Sequence, residues 1–254
     1  MSLKQPDLGE LFHLHSSYSN ARNDELEPVQ DIFPGHFRTY PGSVRHQLPH
    51  SEIDSDMPLR VALTRRRSIR EFRPCPMPIE QVASLLRMSC GIIQWSQKDG
   101  LWQAQRPIPS GGALYPLEVY AASQGVVGLP DGLYHYDARG HALEQRQSGS
   151  VHKELARTTW VPDSILGATL VILITAVSAR TTRKYGLRGH RFLWLEAGHL
   201  AQNLYLIAQS LGLGALEVGA FSDDDVDRLA RLPEGERTLS ILCIGTPKPR
   251  PPSC

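Results

Sequence analysis

The chain has 254 residues, a formal net charge of +1 and 41% hydrophobic residues, which suffices for one large domain or two small ones with a real core. The near-neutral charge argues against binding nucleic acid or a membrane surface through bulk charge. There is no run of about 18 apolar residues free of charge, and the first residues lack the apolar core of a signal peptide, so we expect a cytoplasmic protein.

Cysteine and histidine spacing does not indicate metal or disulfide chemistry. The four cysteines are scattered without a CxxC pair, and the ten histidines show no HExxH or comparable spacing. We therefore expect neither a disulfide framework nor a metal site.

The first 52 residues are rich in Pro, His, Ser and Asn and have weak hydrophobic periodicity. We predict an extended N-terminal arm with turns at residues 33–35 and 40–42, where Pro-Gly pairs occur. Such an arm either lies across a partner subunit or is disordered. One domain over residues 53–254 is expected to follow.

Five arginines lie within residues 65–73, a stretch that overlaps the end of a short helix predicted over residues 57–67. Three interpretations compete: a solvated charged face, a nucleic-acid patch, or a site for one phosphate-bearing ligand. A nucleic-acid patch would need further basic residues elsewhere. Arginine forks beside a serine hydroxyl suit a single phosphate better than lysine does.

The next segments predict a helix over residues 78–88 and then a loop of about twenty residues, a length typical of functional or disordered loops. The glycines of the following turn, Pro109-Ser110-Gly111-Gly112, allow the backbone to come close to a ligand. An ordinary loop before a strand is the alternative. A strand over residues 117–121, a hairpin over residues 132–144 and a short helix over residues 151–158 come next.

The stretch from residue 184 to residue 221 is expected to organise the fold. Apolar residues recur at helical spacing from residue 190 to residue 211 and also occur on the opposite side, which predicts a buried central helix about 33 Å long. Polar residues within it, including Glu196 and His199, would then need buried partners. We interpret these two as structural rather than as a catalytic dyad. A Gly-rich loop is predicted over residues 212–219.

Two apolar runs, Ala168–Val177 and Thr238–Gly245, predict buried strands, and Ser222 is expected to cap a helix between them. Helices and strands do not alternate strictly. The pattern therefore predicts an α+β fold with a mixed, mostly antiparallel sheet flanked by helices.

Four segments together resemble the flavin-dependent nitroreductase superfamily. The closer resemblance is to its SagB-type branch, the dehydrogenases that oxidise thiazolines and oxazolines to azoles in modified ribosomal peptides. The segments are RRSIREF, PSGGALYPLEVY, KYGLRGHRFLWLEAGHLAQNLYLIAQSLGLG and ILCIG, in the family's order and over most of the chain. The resemblance implies a nitroreductase-like α+β homodimer with an FMN in each of two pockets at the subunit interface.

The resemblance also implies which residues bind FMN. The positions that bind the phosphate and ribityl end are matched by Arg66, Arg67, Ser68 and Arg70. Two basic residues near the C-terminus, Lys248 and Arg250, could add to this binding. The two backbone segments that pass along the flavin ring are matched by Pro109, Ser110, Gly111 and Gly112 and by Val218, Gly219 and Ala220.

Lys184 and Tyr185 match the Lys-Tyr pair of the azoline dehydrogenases. Azoline oxidation removes a hydride, which goes to the flavin, and a proton, which needs a base such as a positioned lysine amine. Tyr185 would orient the substrate or relay the proton. By spacing alone the pair is explained as a helix-start lysine and a packing tyrosine, whereas the family context favours catalysis.

The expected function is thus FMN-dependent dehydrogenation of azoline rings on a peptide or carrier-bound substrate, with electrons passing to oxygen and a cyclodehydratase as a possible partner. One alternative is an NAD(P)H-dependent reductase of nitro, quinone or enone compounds. Another is a non-catalytic flavin-binding module in a biosynthetic complex, against which the largely intact FMN motifs argue.

Overall fold

The computed structural model describes residues 7–17, 37–50, 55–98 and 100–249. The strands in these ranges are β1 (Arg45–Gln47), β2 (Met77–Pro78), β3 (Gln94–Lys98), β4 (Leu101–Gln105), β5 (Leu117–Ser123), β6 (Val126–Val127), β7 (Gly132–Asp137), β8 (Ala142–Ser148), β9 (Leu170–Val177), β10 (Gly214–Val218) and β11 (Glu236–Gly245). The helices are α1 (Leu8–His15), α2 (Leu59–Arg65), α3 (Ile79–Cys90), α4 (His152–Arg157), α5 (Pro162–Gly167), α6 (Ala179–Tyr185), α7 (Arg188–Ser210) and α8 (Asp223–Ala230).

The main sheet has seven strands in the order β1-β8-β7-β5-β9-β11-β10, and every neighbouring pair in it is antiparallel. Strands β2 and β6 form a separate parallel pair, and β3 and β4 form an antiparallel hairpin. The predicted α+β fold with a mostly antiparallel sheet flanked by helices is confirmed.

Strand β9 shows why the sheet has helices on both faces. All eight of its residues are buried, as the apolar run predicted. Leu170, Ile172 and Ile174 pack into one core with α3 and α7, whereas Val171 and Leu173 pack into a second core with α4, α5 and α8. Because side chains alternate along a strand, an unbroken apolar run supplies both cores.

Helix α7 is the predicted long helix, but the described part of the chain buries only one of its faces. Leu193, Leu200 and Leu204 face the sheet and are nearly inaccessible. On the opposite side, Trp194 and Leu195 are each 58% exposed. The prediction of a buried helix therefore holds for one face only, because no element among the described residues covers the outer face.

Two segments predicted as loops contain strands. The long loop after α3 folds into the β3–β4 hairpin, paired from Gln94–Gln105 to Lys98–Leu101. The predicted Gly-rich loop over residues 212–219 contains β10, which pairs with the last strand from Gly214 to Val218. In both cases pairing with another strand, rather than the local apolar pattern, determines the strand.

Smaller differences concern the two ends of the chain. The predicted arm contains α1 and the edge strand β1, and the expected turn over residues 40–42 is present. The expected turn over residues 33–35 and the domain boundary at residues 52–53 lie outside the described residues. Ser222 precedes α8 as predicted, but its hydroxyl donates to Asp225 Oδ2 at 2.7 Å instead of capping a backbone amide. No helix in the described ranges is both long and apolar enough to cross a membrane.

Candidate active site

Internal hydrogen bonds hold the turn at Pro109–Gly112 in shape. The backbone amide of Tyr115 donates to Ser110 Oγ at 2.9 Å, and the amide of Ala113 donates to the carbonyl of Ser110 at 3.0 Å. Gly112, Ala113 and Tyr115 have positive φ angles of 64°, 54° and 43°. This backbone region is unfavourable for the two non-glycine residues, so the turn depends on support from neighbouring elements.

The candidate catalytic residues Lys184 and Tyr185 lie against this turn. A Cβ atom placed on Gly112 would be 2.6 Å from Tyr185 Oη and 3.0 Å from Lys184 Nζ, so a side chain there would have to displace both. Tyr185 packs edge-to-face on Phe192 with ring centroids 4.9 Å apart, and the Phe192 ring also lies close to Gly111. Residues predicted separately for ring binding and for proton transfer are therefore in contact.

The pair lies on α6, a helix the sequence did not predict, rather than at the start of α7. Lys184 and Tyr185 are the last residues of α6, and Gly186 ends it. Tyr185 is half-buried, whereas Lys184 is exposed, with its amine 5.3 Å from the centre of the Tyr185 ring. The lysine amine is thus accessible to a substrate.

The arginine-rich segment packs near the other end of α7. The guanidinium of Arg66 lies 5.0 Å from the centre of the Tyr205 ring, and Ser68 Oγ is 3.3 Å from Tyr205 Oη. Ser68 also forms a parallel bridge with Ala215 on β10, and Tyr205 Oη accepts the amide proton of Glu217 at 2.7 Å. The segment is thereby fixed between α7 and β10.

The other two predicted arginines of this segment are exposed. Arg67 donates to the carbonyls of Thr64 and Arg66 at 2.9 and 2.8 Å, at the end of α2. The carbonyl of Arg70 accepts from Ser164 Oγ at 2.8 Å, which fixes its backbone while its side chain remains accessible.

The structure brings Lys248 beside the arginine-rich segment. Its backbone amide donates to the carbonyl of Glu71 at 3.0 Å, and its amine lies 3.7 Å from the Glu71 carboxylate. Arg250, the other predicted basic residue of the tail, lies outside the described residues.

The third predicted FMN contact, Val218–Ala220, begins inside β10. Val218 is a buried strand residue, whereas Gly219 and Ala220 are exposed. The carbonyl of Ala220 accepts from the backbone amide of Trp160 at 3.3 Å. Only the last two of these residues therefore form an accessible loop.

Within one chain, the turn and the arginine-rich segment are far apart. Gly111 contacts Phe192 near the start of α7, and Ser68 contacts Tyr205 near its end. The helical rise separates these two contacts by about 20 Å. The single chain therefore does not bring the two predicted halves of the FMN site together.

Glu196 and His199 do not form a dyad, because His199 is exposed and Glu196 is buried. Neither carboxylate oxygen of Glu196 has a hydrogen bond of normal geometry within the described part of the chain. Burial raises the pKa of Glu196 to about 7, although the nearby Ser110 hydroxyl and the charges of Arg106 and Arg180 act to lower it. A carboxyl that is partly protonated near neutral pH thus lies next to the turn, a feature typical of functional sites.

A buried charged network, which the sequence reasoning missed, lies behind the turn. Glu118 accepts from Arg180 Nη2 at 2.5 Å and from His135 Nε2 at 2.9 Å, and His135 Nδ1 lies 3.1 Å from Glu144 Oε2. Two carboxylates facing both ring nitrogens require both to carry protons, so the imidazole is a cation. Burial would lower the pKa of His135, but hydrogen bonds to the two carboxylates raise it above its ordinary value.

A sequence signal for part of this network was present. Glu118 is the single charged residue of the otherwise buried strand β5, and a charge in such a strand must be paired. Its partner Arg180 could not be found in this way, because the helix that carries it was not predicted.

The comparison with known families matches residues 63–246 to the Nitroreductase family. The chain belongs to the nitroreductase family. It is therefore an oxidoreductase of the nitroreductase fold, in a family whose members depend on flavins.

Individual members of the nitroreductase family agree with this assignment. MJ1384 of Methanocaldococcus jannaschii, which is named as a nitroreductase, is 37% identical over 188 residues, or 74% of this chain and 90% of its own. A nitroreductase structure from Ralstonia eutropha has a TM-score of 0.67 and 27% identity, with coverage of 88% of this chain and 99% of that chain.

A third relative supports the resemblance to the SagB-type branch. The microcin B17-processing protein McbC of Escherichia coli is 29% identical over 145 residues, which cover 55% of this chain. The match covers 53% of McbC, so the chain spans about half the length of that relative.

Proposed function

We propose that the protein is an FMN-dependent dehydrogenase that oxidises thiazoline or oxazoline rings to azoles on a peptide or carrier-bound substrate. The observation that carries the proposal is the contact of Lys184 and Tyr185 with Gly112. Azoline oxidation needs a hydride acceptor and a base at adjacent ring carbons. The contact puts a candidate base beside the turn that, by resemblance, runs along a flavin ring.

The residues present fit FMN at both ends. At one end, guanidinium and hydroxyl donors for a phosphate are offered by Arg66, Arg67, Ser68 and Arg70, and Lys248 adds positive charge beside them. At the other end, the turn at Pro109–Gly112 and the exposed backbone after Val218, at Gly219 and Ala220, suit the approach of a flat ring. A bound flavin supplies the two-electron acceptor and is regenerated by oxygen.

The chain's own contribution is to take a proton at a defined place. In its neutral form, Lys184 Nζ accepts the proton from the azoline ring carbon. The edge-to-face contact with Phe192 fixes the Tyr185 ring and therefore its hydroxyl, which orients the azoline or relays the proton.

Two copies of the chain would complete each site. If two α7 helices pack antiparallel across a two-fold axis near Gly198, position 192 of one helix lies opposite position 205 of the other. Each turn then meets the arginine-rich segment of the partner. The exposed face of α7 suits this arrangement, because Trp194 and Leu195 are largely accessible and a Cβ placed on Gly198 would meet nothing within 4 Å. Two-fold dimers are also the commonest closed assembly.

The proposed substrate class is supported by McbC, whose name refers to processing of microcin B17. We propose a peptide or carrier-bound azoline for this chain also. A cyclodehydratase, the class of enzyme that forms azolines from Cys, Ser or Thr, would then act one step earlier as its partner.

An NAD(P)H-dependent reductase of nitro, quinone or enone compounds is the second candidate. The 37% identity to MJ1384, a protein named as a nitroreductase, supports it. The contact between Lys184, Tyr185 and the turn favours the dehydrogenase.

Replacing Lys184 by Ala tests the proposal. We expect the purified protein to be yellow and to release FMN on denaturation, and we expect Lys184→Ala to retain FMN. Oxidation of a thiazoline peptide should fall by about 10²–10⁴-fold, the contribution of a positioned base. Flavin reduction by dithionite should be unchanged because it needs no protein base. Lys153→Ala, which removes an exposed lysine of α4, is the control.

Three results would count against the dehydrogenase. If the protein is colourless and takes up no added FMN, the proposal of a flavin enzyme is wrong. If Lys184→Ala retains full azoline oxidation, the lysine is not the catalytic base. Oxidation of NADPH coupled to nitro or quinone reduction, without azoline turnover, would favour the second candidate.

A further inference from the structure

We propose that Arg180 is a positioning residue that holds the turn at Pro109–Gly112 against α6 and so fixes Lys184 and Tyr185 relative to that turn. The inference rests on the proposed function for its catalytic consequence. Whether Arg180 holds the turn in place can be measured independently of catalysis.

Arg180 joins the turn to the helix that carries the catalytic pair. Its side chain is 1% exposed, although it is a full-length arginine. Its Nη1 donates to the carbonyl of Tyr115 at 3.2 Å, and its Nη2 donates to Glu118 Oε1 at 2.5 Å. Arg180 is four residues before Lys184 on α6, so the two side chains project from the same face of that helix.

The carbonyl that Arg180 binds belongs to Tyr115, whose own backbone amide donates to Ser110 Oγ of the turn. Tyr115 has a φ of 43° and is the last residue with positive φ before the chain enters β5. The guanidinium of Arg106 covers its ring at 4.9 Å. Unfavourable backbone conformations persist only where the surrounding structure enforces them, and here one arginine holds the carbonyl while another packs on the ring.

The buried network fixes Arg180 in turn. Besides Arg180, Glu118 binds His135 Nε2 and accepts the backbone amide of Arg38 at 3.2 Å. Burial would raise the pKa of Glu118, but the hydrogen bond from His135 and the charge of Arg180 lower it to about 2. The carboxylate is therefore ionised, and the guanidinium it binds has a charged partner on a central strand.

The planar fork of arginine is what this position requires. One nitrogen reaches a backbone carbonyl and another reaches a carboxylate, an arrangement that the single ammonium of lysine does not reproduce. Arg180→Lys should keep the charge beside Glu118 and lose the bond to Tyr115. The turn would then shift relative to Tyr185, whose hydroxyl is already in contact with Gly112.

The test uses the full-length protein with FMN and compares Arg180→Lys with Arg237→Lys. Arg237 is the matched control because it is also ion-paired with acids, at Asp224 and Asp227, but its side chain is 69% exposed. Hydrogen exchange is followed by mass spectrometry in peptides covering residues 110–116 and β9. Turnover of a thiazoline peptide is measured in parallel.

In Arg180→Lys we expect exchange over residues 110–116 to rise about tenfold while β9 stays protected. We also expect kcat to fall by about 10²-fold, as for a misplacement of about 1 Å, with KM for the thiazoline peptide unchanged at saturating FMN. Arg237→Lys should match the wild type in both measurements. If Arg180→Lys does not fold, Glu118→Gln is used instead. This variant keeps an acceptor for Arg180 but removes the negative charge of Glu118. Exchange over residues 110–116 should then rise, and kcat should fall, by smaller factors than in Arg180→Lys.

Each other outcome has a distinct meaning. Unchanged exchange over residues 110–116 would overturn the proposal, and so would increased exchange throughout β9, which would show general destabilisation. If exchange over residues 110–116 rises but kcat is unchanged, Arg180 holds the turn but does not contribute to catalysis through Lys184 and Tyr185. A wild-type protein without azoline oxidation would defeat the proposed function, while the exchange data would still decide whether Arg180 holds the turn.

Discussion

Among single residues, Glu196 links the candidate site most directly to pH. Its pKa is raised by burial from 4.5 to about 7. A carboxyl with a raised pKa contributes stability that is complete below pH 4.5 and is lost as the pH rises through 7. At about 1.4 kcal/mol per pKa unit, the loss is about 3 kcal/mol.

Glu196→Gln should therefore abolish this loss. The free energy of unfolding, measured in urea between pH 4.5 and pH 8, should fall by about 3 kcal/mol more in the wild type than in the variant. Other groups titrate in this range, including His135 with its raised pKa, but they are common to both proteins and cancel in the difference. Parallel pH profiles would show that Glu196 ionises normally in the folded protein.

Gly112 belongs to the turn and also contacts the candidate catalytic residues Lys184 and Tyr185. Gly112→Ala introduces a Cβ at a φ of 64°, at a cost of about 1–2 kcal/mol, and within 2.6 Å of Tyr185 Oη. Gly149→Ala is a matched control because Gly149 has a φ of 85° but nothing within 4 Å of the new Cβ. We expect both variants to lose similar thermal stability and only Gly112→Ala to lose most of its azoline turnover. Equal turnover in both would show that Tyr185 tolerates displacement.

Sequence reasoning could find residues of the site where their chemistry is local. Lys184, Tyr185 and Gly112 stand in short recognisable segments, and the structure places them in contact. It could not find Arg180, whose role depends on bonds to Tyr115 and Glu118, more than sixty residues earlier in the chain. A sequence motif contains only residues that are close along the chain, whereas Arg180 bonds to residues on separate elements.

At the scale of elements, α7 both organises the core and presents a face to solvent. The inner face is lined by leucines and alanines, and the outer face carries Trp194 and Leu195. Apolar side chains clustered on one exposed helix face are typical of a surface that is covered in an assembly.

Leu195→Glu should disrupt that assembly. A charge on the outer face of α7 would have to be desolvated in the proposed dimer, so we expect light scattering to change from twice the 28.2 kDa of one chain to a single chain. FMN affinity should fall with it, because each site would lose the partner's half. Leu166→Glu, at a 42% exposed position of α5, should leave both properties unchanged. A monomeric wild type that binds FMN tightly would contradict the two-fold arrangement.

The elements that were predicted and those that were missed differ in what stabilises them. β9 and α7 are long and strongly apolar, so their local patterns sufficed. β10 is only five residues long and begins at Gly214, and its strand conformation comes from pairing with β11. α6 has few apolar residues and lies between two stronger elements, which is why its residues were assigned to the start of α7.

At the scale of the whole molecule, the fold class could be predicted because helices and strands were correctly seen not to alternate. The distance between the two candidate half-sites within one chain could not be predicted. It depends on α7, which places Phe192 and Tyr205 towards opposite ends of the helix, about 20 Å apart. The motifs of both halves follow one another along the chain, so only the family resemblance, and not the motifs themselves, indicated that two chains supply one site.

The attachment of residues 37–40 has a consequence for when the chain can finish folding. Arg38 Nε forms an ion pair with Glu236 Oε2 at 2.7 Å, and the amide of Tyr40 donates to Glu144 at 3.1 Å. Arg38 is translated about 200 residues before Glu236, and at 5–20 residues per second the ribosome needs on the order of 10–40 s to cover that distance. Throughout that time the Arg38 side chain lacks its ion-pair partner. The ion pair therefore forms only once β11 has been made, and a nascent chain that stops short of β11 also leaves β9 without one of its two neighbouring strands.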